Sequence, residues 1–354
     1  MQLTASDIYQ FYQPSKCIGR LNCRRLNIEE AKPSPYTEVL KELGRRHEYA
    51  HRQTLEPLLD LSQGSIQERI NATTAAIERG EKIIYQPVLM SKAPFDSNVE
   101  LLGIPDFLIL DKVNYVVRDC KISRRINSKD HPEILEQLDL YGWLIESNTD
   151  NPPTRLEVLG GDNTITNLPY QGGNTAFNTL HKILPILQHG LNSYEPVGWT
   201  KCQGCSYVEY CWESAVKQKD IAVLPDVDQN ASITLHELGI NNWDVLQTKF
   251  TPESLAELKR PWGQRLQRIG SKANSILLQA QALSQNKMII LQKPQLPQSE
   301  NYVMFDLEGL PPQFEETEKI YLGVFKYLVL IRVSAYRLLR ILVSMEIKMV
   351  GCSS

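Results

Sequence analysis

The fold of this chain is decided by the stretch Gly103-Ile-Pro-Asp106-Phe-Leu-Ile-Leu110, followed by Tyr115-Val-Val-Arg-Asp119-Cys-Lys121. Both segments are short, rich in apolar and β-branched residues, and bounded by turn-forming residues, which predicts two adjacent strands. Side chains alternate between the faces of a strand, so Asp119 and Lys121 project from one face and Cys120 from the other. A buried charge is costly unless it is paired. These polar residues are therefore the first candidates for a chemical role.

Apolar spacing around this stretch alternates between helical and strand-like periods. The fold class that this pattern predicts is α/β, with a small mixed sheet flanked by helices. The predicted helices cover residues 3–11, 35–61, 65–79, 131–146 and 170–187. The predicted strands cover residues 82–90, 101–110, 114–122 and 156–160.

The bulk composition is that of a globular protein with 354 residues, 42% hydrophobic residues and a formal net charge of -3. This charge does not indicate a general nucleic-acid binder, so a phosphate-bearing partner needs a local basic patch or metal ions. The start of the chain lacks the pattern of a signal peptide. The apolar stretch 320–350 is interrupted by Lys326, Arg332, Arg337 and Arg340, which argues against a membrane span. We expect a cytoplasmic protein with no membrane contact.

Asp106, Asp119 and Lys121 suit the hydrolysis of a phosphodiester. Two carboxylates can hold one or two Mg²⁺ or Mn²⁺ ions, which prefer oxygen ligands. The metal activates water, and a nearby lysine orients that water or neutralises developing charge. Taken alone, a D-x-K triplet is better explained as a surface ion pair at the end of a strand.

Two further motifs flank the triplet. Upstream, Gly44-Arg-Arg-His47-Glu48 lies in a predicted helix and offers an imidazole as an additional metal ligand. Downstream, Gln137 and Tyr141 are four residues apart on a predicted helix and share one face. Taken singly, the histidine could be an exposed residue and the tyrosine an ordinary core residue.

The ordered series G-x-x-H-E, G-x-P-D, D-x-K and Q-x-x-x-Y resembles the RecB-like nucleases of the PD-(D/E)XK superfamily. The resemblance implies a restriction-endonuclease-like core and metal-dependent hydrolysis of DNA, as an exonuclease in repair, recombination or defence. It implies nucleic acid as the partner and does not identify a helicase or repair protein. The implied metal ligands are His47, Asp106, Asp119 and the main-chain carbonyl of Cys120. The implied catalytic and site-lining residues are Asp106, Asp119, Lys121, Gln137 and Tyr141.

Three cysteines follow the nuclease motifs with the spacing C-x2-C-x5-C, at Cys202, Cys205 and Cys211. In a reducing compartment such clusters are typical of metal ligands, and Zn²⁺ or an iron–sulfur cluster would suit them. Either Cys17 or Cys23 could supply a fourth thiolate.

Iron–sulfur members of the RecB-like group have one cysteine before the motifs and three after. The segment 6–20 also resembles the region of the first cysteine ligand in that group. The resemblance therefore implies a [4Fe–4S] cluster on Cys17, Cys202, Cys205 and Cys211, with Zn²⁺ as the alternative. Cys23 and Cys120 are then expected to pack as small hydrophobic residues. Cys352, in the terminal segment, has no predicted role.

The chain after Cys211 is predicted to form an α-helical module, with helices at 233–246 and 252–283 in a layout that resembles a helix-hairpin-helix. Basic side chains of the second helix are candidates for contacts with phosphates. The alternative is a solvated basic helix face. The basic residues concerned are Lys259, Arg260, Arg265, Arg268 and Lys272.

The segment Phe305-Asp306-Leu-Glu308 resembles the opening strand of an RNase H-like exonuclease of the YprB type, and residues 320–324 fit its second strand. Such a site needs further aspartates, and the sequence has none after Asp306. Asp306 and Glu308 are therefore predicted to be an incomplete second site in a truncated α/β fragment.

Five regions are expected from these motifs: a nuclease domain (1–215), the helical module (216–285), a linker (286–299), the exonuclease fragment (300–326) and a tail without assigned role (327–354). Two other functions stay open. One is a catalytically inactive nucleic-acid-binding or assembly protein that retains the nuclease fold, and the other is a zinc-bound protein without nuclease activity.

Overall fold

The computed structural model describes residues 1–12, 16–33, 35–124, 126–127, 130–190, 197–263, 265–293, 295, 301–310, 319–328 and 346–348. Contacts between Cα atoms divide the chain into two units, Met1–Ile289 and Ile290–Ser354. The first unit contains both the predicted nuclease region and the predicted helical module.

The helices of the first unit are short to medium in length. None of the described helices is long and apolar enough to cross a membrane. In chain order they are α1 (Ala5–Tyr12), α2 (Ile18–Arg25), α3 (Pro35–Thr54), α4 (Ile66–Glu78), α5 (Pro132–Thr149), α6 (Asn174–His189), α7 (Trp199–Cys202), α8 (Val208–Lys217), α9 (Gln229–Glu237), α10 (Trp243–Lys249), α11 (Pro252–Glu257) and α12 (Lys272–Gln285).

The strands of the first unit form two sheets and a separate hairpin. They are β1 (Gln2–Thr4), β2 (Leu59–Asp60), β3 (Ile83–Tyr85), β4 (Leu89–Ala93), β5 (Asp96–Gly103), β6 (Phe107–Asp111), β7 (Asn114–Cys120), β8 (Arg155–Leu159), β9 (Ile165–Leu168), β10 (Lys259–Trp262) and β11 (Arg265–Arg268).

The larger sheet has six strands in the order β2-β3-β6-β7-β8-β9. β3, β6 and β7 are antiparallel neighbours, whereas β7 and β8 run parallel. A parallel pair needs a long crossover, and α5 provides it between β7 and β8. The prediction of an α/β fold with a mixed sheet flanked by helices is confirmed.

Two predicted strands are each divided at a proline. Residues 82–90 form β3 and β4 on either side of Pro87, and residues 101–110 form β5 and β6 on either side of Pro105. Proline cannot donate a ladder hydrogen bond, so it interrupts a paired strand. β4 and β5 then join β1 in a second, three-stranded sheet. The prediction that residues 82–90 and 101–110 each form one strand was therefore wrong.

The predicted helix at 35–61 was too long. α3 ends at Thr54, and Leu59–Asp60 forms the edge strand β2. Pro57 explains the difference, because the residue before a proline avoids the helical conformation. By contrast, α4 begins within one residue of its predicted start, with Ser65 as the N-cap: the Ser65 side chain accepts from the Glu68 N–H, and the Glu68 carboxylate accepts from the Ser65 N–H.

The core of the first unit is organised around α5. This helix is buried on most of its surface, with Leu138, Leu140 and Leu144 fully inaccessible to solvent. It contacts α1 and α6 as well as strands of both sheets. Helix α5 therefore connects the two sheets. Because it is packed on most sides, the polar side chains on it are held in fixed positions.

The helical module contains a β-hairpin that the sequence analysis did not predict. β10 and β11 pair antiparallel, with Lys259 opposite Arg268 and Trp262 opposite Arg265. The continuous helix predicted at 252–283 is therefore wrong, and only α11 and α12 remain helical. Pro261 and Gly263 account for the interruption, because neither residue favours a helix interior.

The second unit contains an antiparallel sheet of three strands: β12 (Asn301–Leu310), β13 (Lys319–Leu328) and β14 (Glu346–Lys348). β12 and β13 correspond to the two strands predicted for the exonuclease fragment. Asp306 and Glu308 lie two residues apart on β12, opposite Gly323 and Tyr321. Cys352 and most of the predicted linker and tail lie outside the described residues.

A buried polar cluster on α3 and the sheet makes stability depend on pH. The Arg118 guanidinium lies 3.1 Å from His51 Nε2 and pairs with Glu157 at 2.6 Å. Burial, together with the charge of Arg118, lowers the pKa of His51 to about 4. In the unfolded chain the pKa of this histidine is near 6.5. Between about pH 6.5 and 4 the unfolded chain therefore binds a proton that the folded protein does not bind.

We therefore expect the free energy of unfolding to fall as pH decreases from about 6.5 to about 4, by roughly 1–2 kcal/mol from this group. Urea unfolding at pH 7, 6 and 5 measures the effect. The variant His51→Gln should lose this part of the pH dependence, whereas the exposed His189→Gln should retain it. An unchanged slope in His51→Gln would contradict the assignment.

Candidate active site

The two aspartates of the predicted centre meet at the ends of neighbouring strands. β6 and β7 pair so that Phe107 lies opposite Arg118, which places Asp106 and Asp119 beside each other. The Asp106 N–H donates to Asp119 Oδ1 at 3.3 Å, and the Cys120 N–H donates to Asp106 Oδ2 at 2.7 Å. Main-chain hydrogen bonds from each strand therefore orient the carboxylate of the other.

Lys121 lies next to this pair, as the alternation of the strand predicts. Its ammonium is 2.6 Å from Asp119 Oδ2, and the Asp119 side chain is only 4% exposed. Burial lowers the pKa of Lys121, but the charges of Asp119 and Asp106 outweigh burial and raise the pKa above its usual range. Lys121 is therefore held as a cation that can donate hydrogen bonds.

Negative charge is concentrated at the centre. Burial raises the pKa of Asp106 well above its usual range, and the neighbouring charges of Asp119 and Glu48 raise it further. Lys121 and the Cys120 N–H offset only part of this effect. The same acidic charges, with burial as the larger cause, raise the pKa of the Cys120 thiol. A divalent cation would relieve this repulsion.

Glu48 and Gln86 belong to this site, although the sequence analysis assigned neither a role. Gln86 Nε2 donates to Glu48 Oε1 at 2.7 Å and to Asp106 Oδ1 at 3.1 Å. The Gln86 N–H donates to the Asp106 carbonyl at 2.8 Å. The Tyr85 hydroxyl donates to the same Glu48 oxygen at 2.8 Å. Glu48 was visible in the G-x-x-H-E motif, but no local signal indicated Gln86.

His47 is buried at 5% exposure, and its Nε2 atom lies 3.3 Å from the Leu159 carbonyl on β8. The Lys121 N–H donates to that same carbonyl at 2.9 Å. The imidazole is thus packed beside the strand end that carries the lysine. Its role as a metal ligand stays a prediction.

Gln137 and Tyr141 line the same region from α5. Gln137 Nε2 donates to the Tyr141 hydroxyl at 3.0 Å, which confirms that the two share a helix face. Burial raises the pKa of Tyr141, and Asp119 and Asp106 raise it further, which places the phenol near the acidic pair. Within the described part of the chain, Gln137 Oε1 is a buried acceptor without a hydrogen-bond donor.

A steric reason explains why the G-x-P-D motif begins with a glycine, Gly103. A Cβ atom on Gly103 would lie 2.6 Å from Tyr141 Cδ1 and 2.7 Å from Leu144 Cδ1. Strand β5 therefore approaches α5 so closely at this point that only glycine fits. This contact fixes the Tyr141 ring against the strand that leads to Asp106.

Comparisons with known proteins identify the family of this chain. A family profile described as the PD-(D/E)XK nuclease superfamily matches residues 7–212, more than half of the chain. The chain belongs to the PD-(D/E)XK nuclease superfamily. No curated protein matches it. Eight chains of solved structures do, among them "Crystal structure of SSO0001", with 15% identity, a TM-score of 0.29, and coverage of 59% of this chain and 85% of that one.

Members of the PD-(D/E)XK superfamily are metal-dependent nucleases that typically use Mg²⁺ or Mn²⁺. The oxygen-rich donors Asp106, Asp119 and Glu48 suit these ions chemically. Among the described residues, no three His, Cys, Asp or Glu side chains are grouped closely enough to form a ready-made metal site. In the structure, Lys121 pairs with Asp119, and the Gln86 amide donates to Glu48 and Asp106.

The cysteines predicted to form a cluster are drawn together from distant parts of the PD-(D/E)XK domain. Cys17 begins α2 and is buried with Cys202 against Val197. Burial raises the pKa of Cys17 to about 11, and the nearby Cys202 and Cys205 contribute to the rise. None of the six cysteines in the described residues forms a disulfide. In the described part of the chain, however, no three of these thiols are grouped closely enough to hold a metal ion, so the fourfold site stays a prediction.

Cys23 is buried at 3% exposure, in keeping with its predicted packing, and it also contacts one of the predicted ligands. Its Sγ atom lies 3.7 Å from Cys211 Sγ. The contact with Cys211 lowers the pKa of Cys23, although burial acts in the opposite direction. Cys23 is thus a neighbour of the predicted ligands, and proximity alone does not favour Cys17 over Cys23.

Four of the five basic residues of the module lie on the hairpin and not on a helix face, and Lys272 is the first residue of α12. Arg260 is buried at 6% exposure and pairs with Asp228 at 2.6 Å. Because its charge is neutralised there, Arg260 supports the hairpin and does not face solvent. The exposed members of the set are Lys259, Arg265, Arg268 and Lys272.

Gln86 offers a test of how the acidic centre is held. Its φ angle of 53° is left-handed, a conformation that costs a residue other than glycine about 1–2 kcal/mol. The variant Gln86→Gly keeps this backbone shape but removes the amide that joins Glu48 to Asp106. We expect the free energy of unfolding to stay within about 1 kcal/mol of the parent. Cleavage should fall by about 10-fold or more.

Urea denaturation and initial cleavage rates measure the two effects separately. The variant Asn286→Gly is a suitable control, because Asn286 is also left-handed, with φ of 49°, at the end of α12. It should leave the cleavage rate unchanged. A Gln86→Gly protein that cleaves at the parental rate would show that the bridging amide has no role in the site.

Proposed function

We propose that this PD-(D/E)XK protein is a RecB-like nuclease that hydrolyses phosphodiester bonds in DNA with Mg²⁺ or Mn²⁺, as an exonuclease in repair, recombination or defence. The observation that carries the proposal is the convergence of Asp106, Asp119 and Lys121 at the ends of β6 and β7. The ordered motifs around them, from His47 to Tyr141, support the RecB-like assignment.

Asp106 and Asp119 would hold the metal, with Glu48, His47 and the Cys120 carbonyl as further donors. When bound, the metal polarises the phosphoryl group and supplies an activated water. Lys121 remains protonated beside Asp119, so it orients that water or neutralises charge on the phosphate and does not act as a base. Tyr141 and Gln137 present polar groups from α5 that position the nucleic acid.

The proposal is tested with end-labelled single- and double-stranded DNA and with RNA of the same sequence. Cleavage should appear with MgCl₂ or MnCl₂, disappear with EDTA, and return when the metal is restored in excess. Mononucleotide products released from an end would support an exonuclease. Metal-independent cleavage, or none with any substrate, would reject the proposal and favour a nucleic-acid-binding or assembly protein that has lost activity.

We also propose that Cys17, Cys202, Cys205 and Cys211 hold a structural [4Fe–4S] cluster. The C-x2-C-x5-C spacing supports it, as does the approach of Cys17 and Cys23 to the later cysteines. A bound cluster would favour thiolates and so reverse the raised pKa of Cys17. No three of the described cysteines are yet grouped as a metal site, so the side chains would have to turn toward the cluster.

Anaerobic purification distinguishes the alternatives for this site. A brown protein with iron and acid-labile sulfide in a ratio near one would support the cluster. Stoichiometric zinc in a colourless protein would reject it. Cys17→Ser and Cys23→Ser, prepared in parallel, identify the fourth ligand by which of them loses iron.

Two finer assignments follow from the resemblance. Asp306 and Glu308 on β12 are proposed to belong to a second, RNase H-like site. Lys259, Arg265, Arg268 and Lys272 are proposed to contact phosphates. Removing the exposed basic residues should weaken binding evenly across sequences, because phosphate contacts carry no base information.

A further inference from the structure

The hairpin formed by β10 and β11 is exposed along almost its whole length. Of its eight strand residues, Arg260 is the buried one and the other seven are exposed. Two of those seven are large hydrophobic residues, with Trp262 at 54% and Leu266 at 68% exposure. A short edge with such residues favours a binding role over packing in the core.

The hairpin is anchored firmly at its base. Arg260 Nε donates to Asp228 Oδ2 at 2.7 Å, and Arg260 Nη1 donates to the main-chain carbonyls of Gln267 and Arg268 at 3.4 and 3.3 Å. One buried side chain thus joins both strands to the N-terminus of α9. The hairpin that carries the exposed residues is therefore held in place at its base.

Trp262 is held in a defined orientation. The Arg260 guanidinium lies 5.1 Å from the centroid of the Trp262 ring, a cation–π contact along one face of the hairpin. Cross-strand pairing places Arg265 directly opposite Trp262. An aromatic ring ordered on one side and exposed on the other is a platform on which a planar group can stack.

The charge of the hairpin is opposite in sign to that of the whole chain. Residues 257–272 contain five basic residues and one acidic residue, a local balance of +4, against -3 for the whole sequence. Arg268 pairs with Glu257 at 3.1 Å. Within the described part of the chain, Lys259 and Arg265 have no carboxylate partner. The surface therefore suits a polyanion.

We infer that this hairpin binds single-stranded nucleic acid, with a base stacked on Trp262 and phosphates near Lys259 and Arg265. The inference rests on the proposed function, since it names the form of substrate that the nuclease holds. Cations beside an exposed aromatic ring are the features that bind unpaired strands, whose bases expose their faces. A duplex offers the phosphates but hides those faces, so it should bind more weakly here.

The test measures binding of the full chain to fluorescein-labelled oligo-dT and oligo-U of 20 nucleotides, and to a duplex of equal length. All titrations contain EDTA, so cleavage cannot contribute. Single strands should bind more tightly than the duplex. The variant Trp262→Ala should weaken single-strand binding by about 10-fold to 100-fold, and Trp262→Phe should restore most of the affinity. Arg265→Ala should reduce the slope of log K against log salt by about 0.7.

The control is Leu238→Ala, which removes an equally exposed side chain (55%) at the end of α9 in the same module. It should bind as the parent does. Thermal unfolding checks that each variant is folded, and Trp262→Leu shows whether apolar surface alone is enough. Parental affinity in Trp262→Ala or Trp262→Leu, or tighter binding of the duplex, would overturn the inference.

The two proposals can fail separately. A chain that never cleaves but loses single-strand affinity in Trp262→Ala would reject the nuclease activity and retain the hairpin site. A chain that cleaves DNA, with Trp262→Ala binding as the parent does, would reject the hairpin site alone.

Discussion

Replacing Lys121 with methionine is expected to reduce DNA cleavage by about 10²-fold to 10³-fold, the usual effect of removing one group that stabilises charge in a transition state. The lysine ammonium, 2.6 Å from Asp119 Oδ2, is the positive group beside the two carboxylates. Methionine retains most of the side-chain volume but removes the charge. Single-turnover cleavage at saturating Mg²⁺ measures the loss in the chemical step, apart from any change in substrate binding.

A matched control is available on the same two strands. Lys112 lies in the turn between β6 and β7, at the opposite end of the strands from Asp106 and Asp119, roughly 17 Å away for five residues of extended chain. Lys112→Met should cleave at the parental rate. If both variants lost the same fraction of the cleavage rate, Lys121 would act only through the total positive charge of the protein and not through its position beside Asp119.

The loss should come from chemistry and not from unfolding. Without the ammonium, the charges of Asp119 and Asp106 repel each other, so one of them takes up a proton more readily. Lys121→Met is therefore expected to remain folded but to depend more on metal or on lower pH for its stability. A Tm that rises with added Mg²⁺ more steeply than in the parent would agree with this explanation.

Replacing Asp139 with alanine is expected to lower the free energy of unfolding by about 3–5 kcal/mol, because it leaves several buried donors without an acceptor. Asp139 lies on α5 with no exposed surface. Its Oδ1 atom accepts from the main-chain N–H groups of Gln171 and Gly173, at 2.8 and 3.2 Å. Its Oδ2 atom accepts from the Thr175 N–H and hydroxyl, at 3.0 and 2.6 Å.

This carboxylate holds the start of α6 against α5, where a helix N-terminus favours negative charge. Urea denaturation of Asp139→Ala, with Asp139→Asn as the milder change, measures the contribution. Asp162→Ala is the matched control, since Asp162 also accepts from a threonine N–H and hydroxyl, those of Thr164, but in an exposed turn. Comparable destabilisation in both variants would show that burial is not the cause.

The effect should reach the active site, because Gln137 and Tyr141 flank Asp139 on the same helix. A partly loosened α5 would move both residues away from the acidic pair. We expect Asp139→Asn to reduce cleavage more than its loss of stability alone would explain at 25 °C.

The sequence was most informative where residues close in the chain share one strand or helix. Asp119 and Lys121 share a strand face, and Gln137 and Tyr141 share a helix face, because the period of each element determines which side chains are neighbours. These local relations, together with the order of the motifs, were enough to predict the superfamily.

Tertiary structure alone decided which distant residues join these local groups. Gln86 reaches both Glu48 and Asp106, and Cys23 reaches Cys211, because the packing of helices and strands brings them together across long stretches of sequence. Likewise, the hairpin bearing Trp262 forms within a stretch that was predicted to be helical, and pairing between its strands outweighs the helical pattern. Local periodicity therefore determined that Asp119 and Lys121 are neighbours. The position of Asp106 beside them, and the contacts of Gln86, depend on strand pairing and packing that only the folded chain makes.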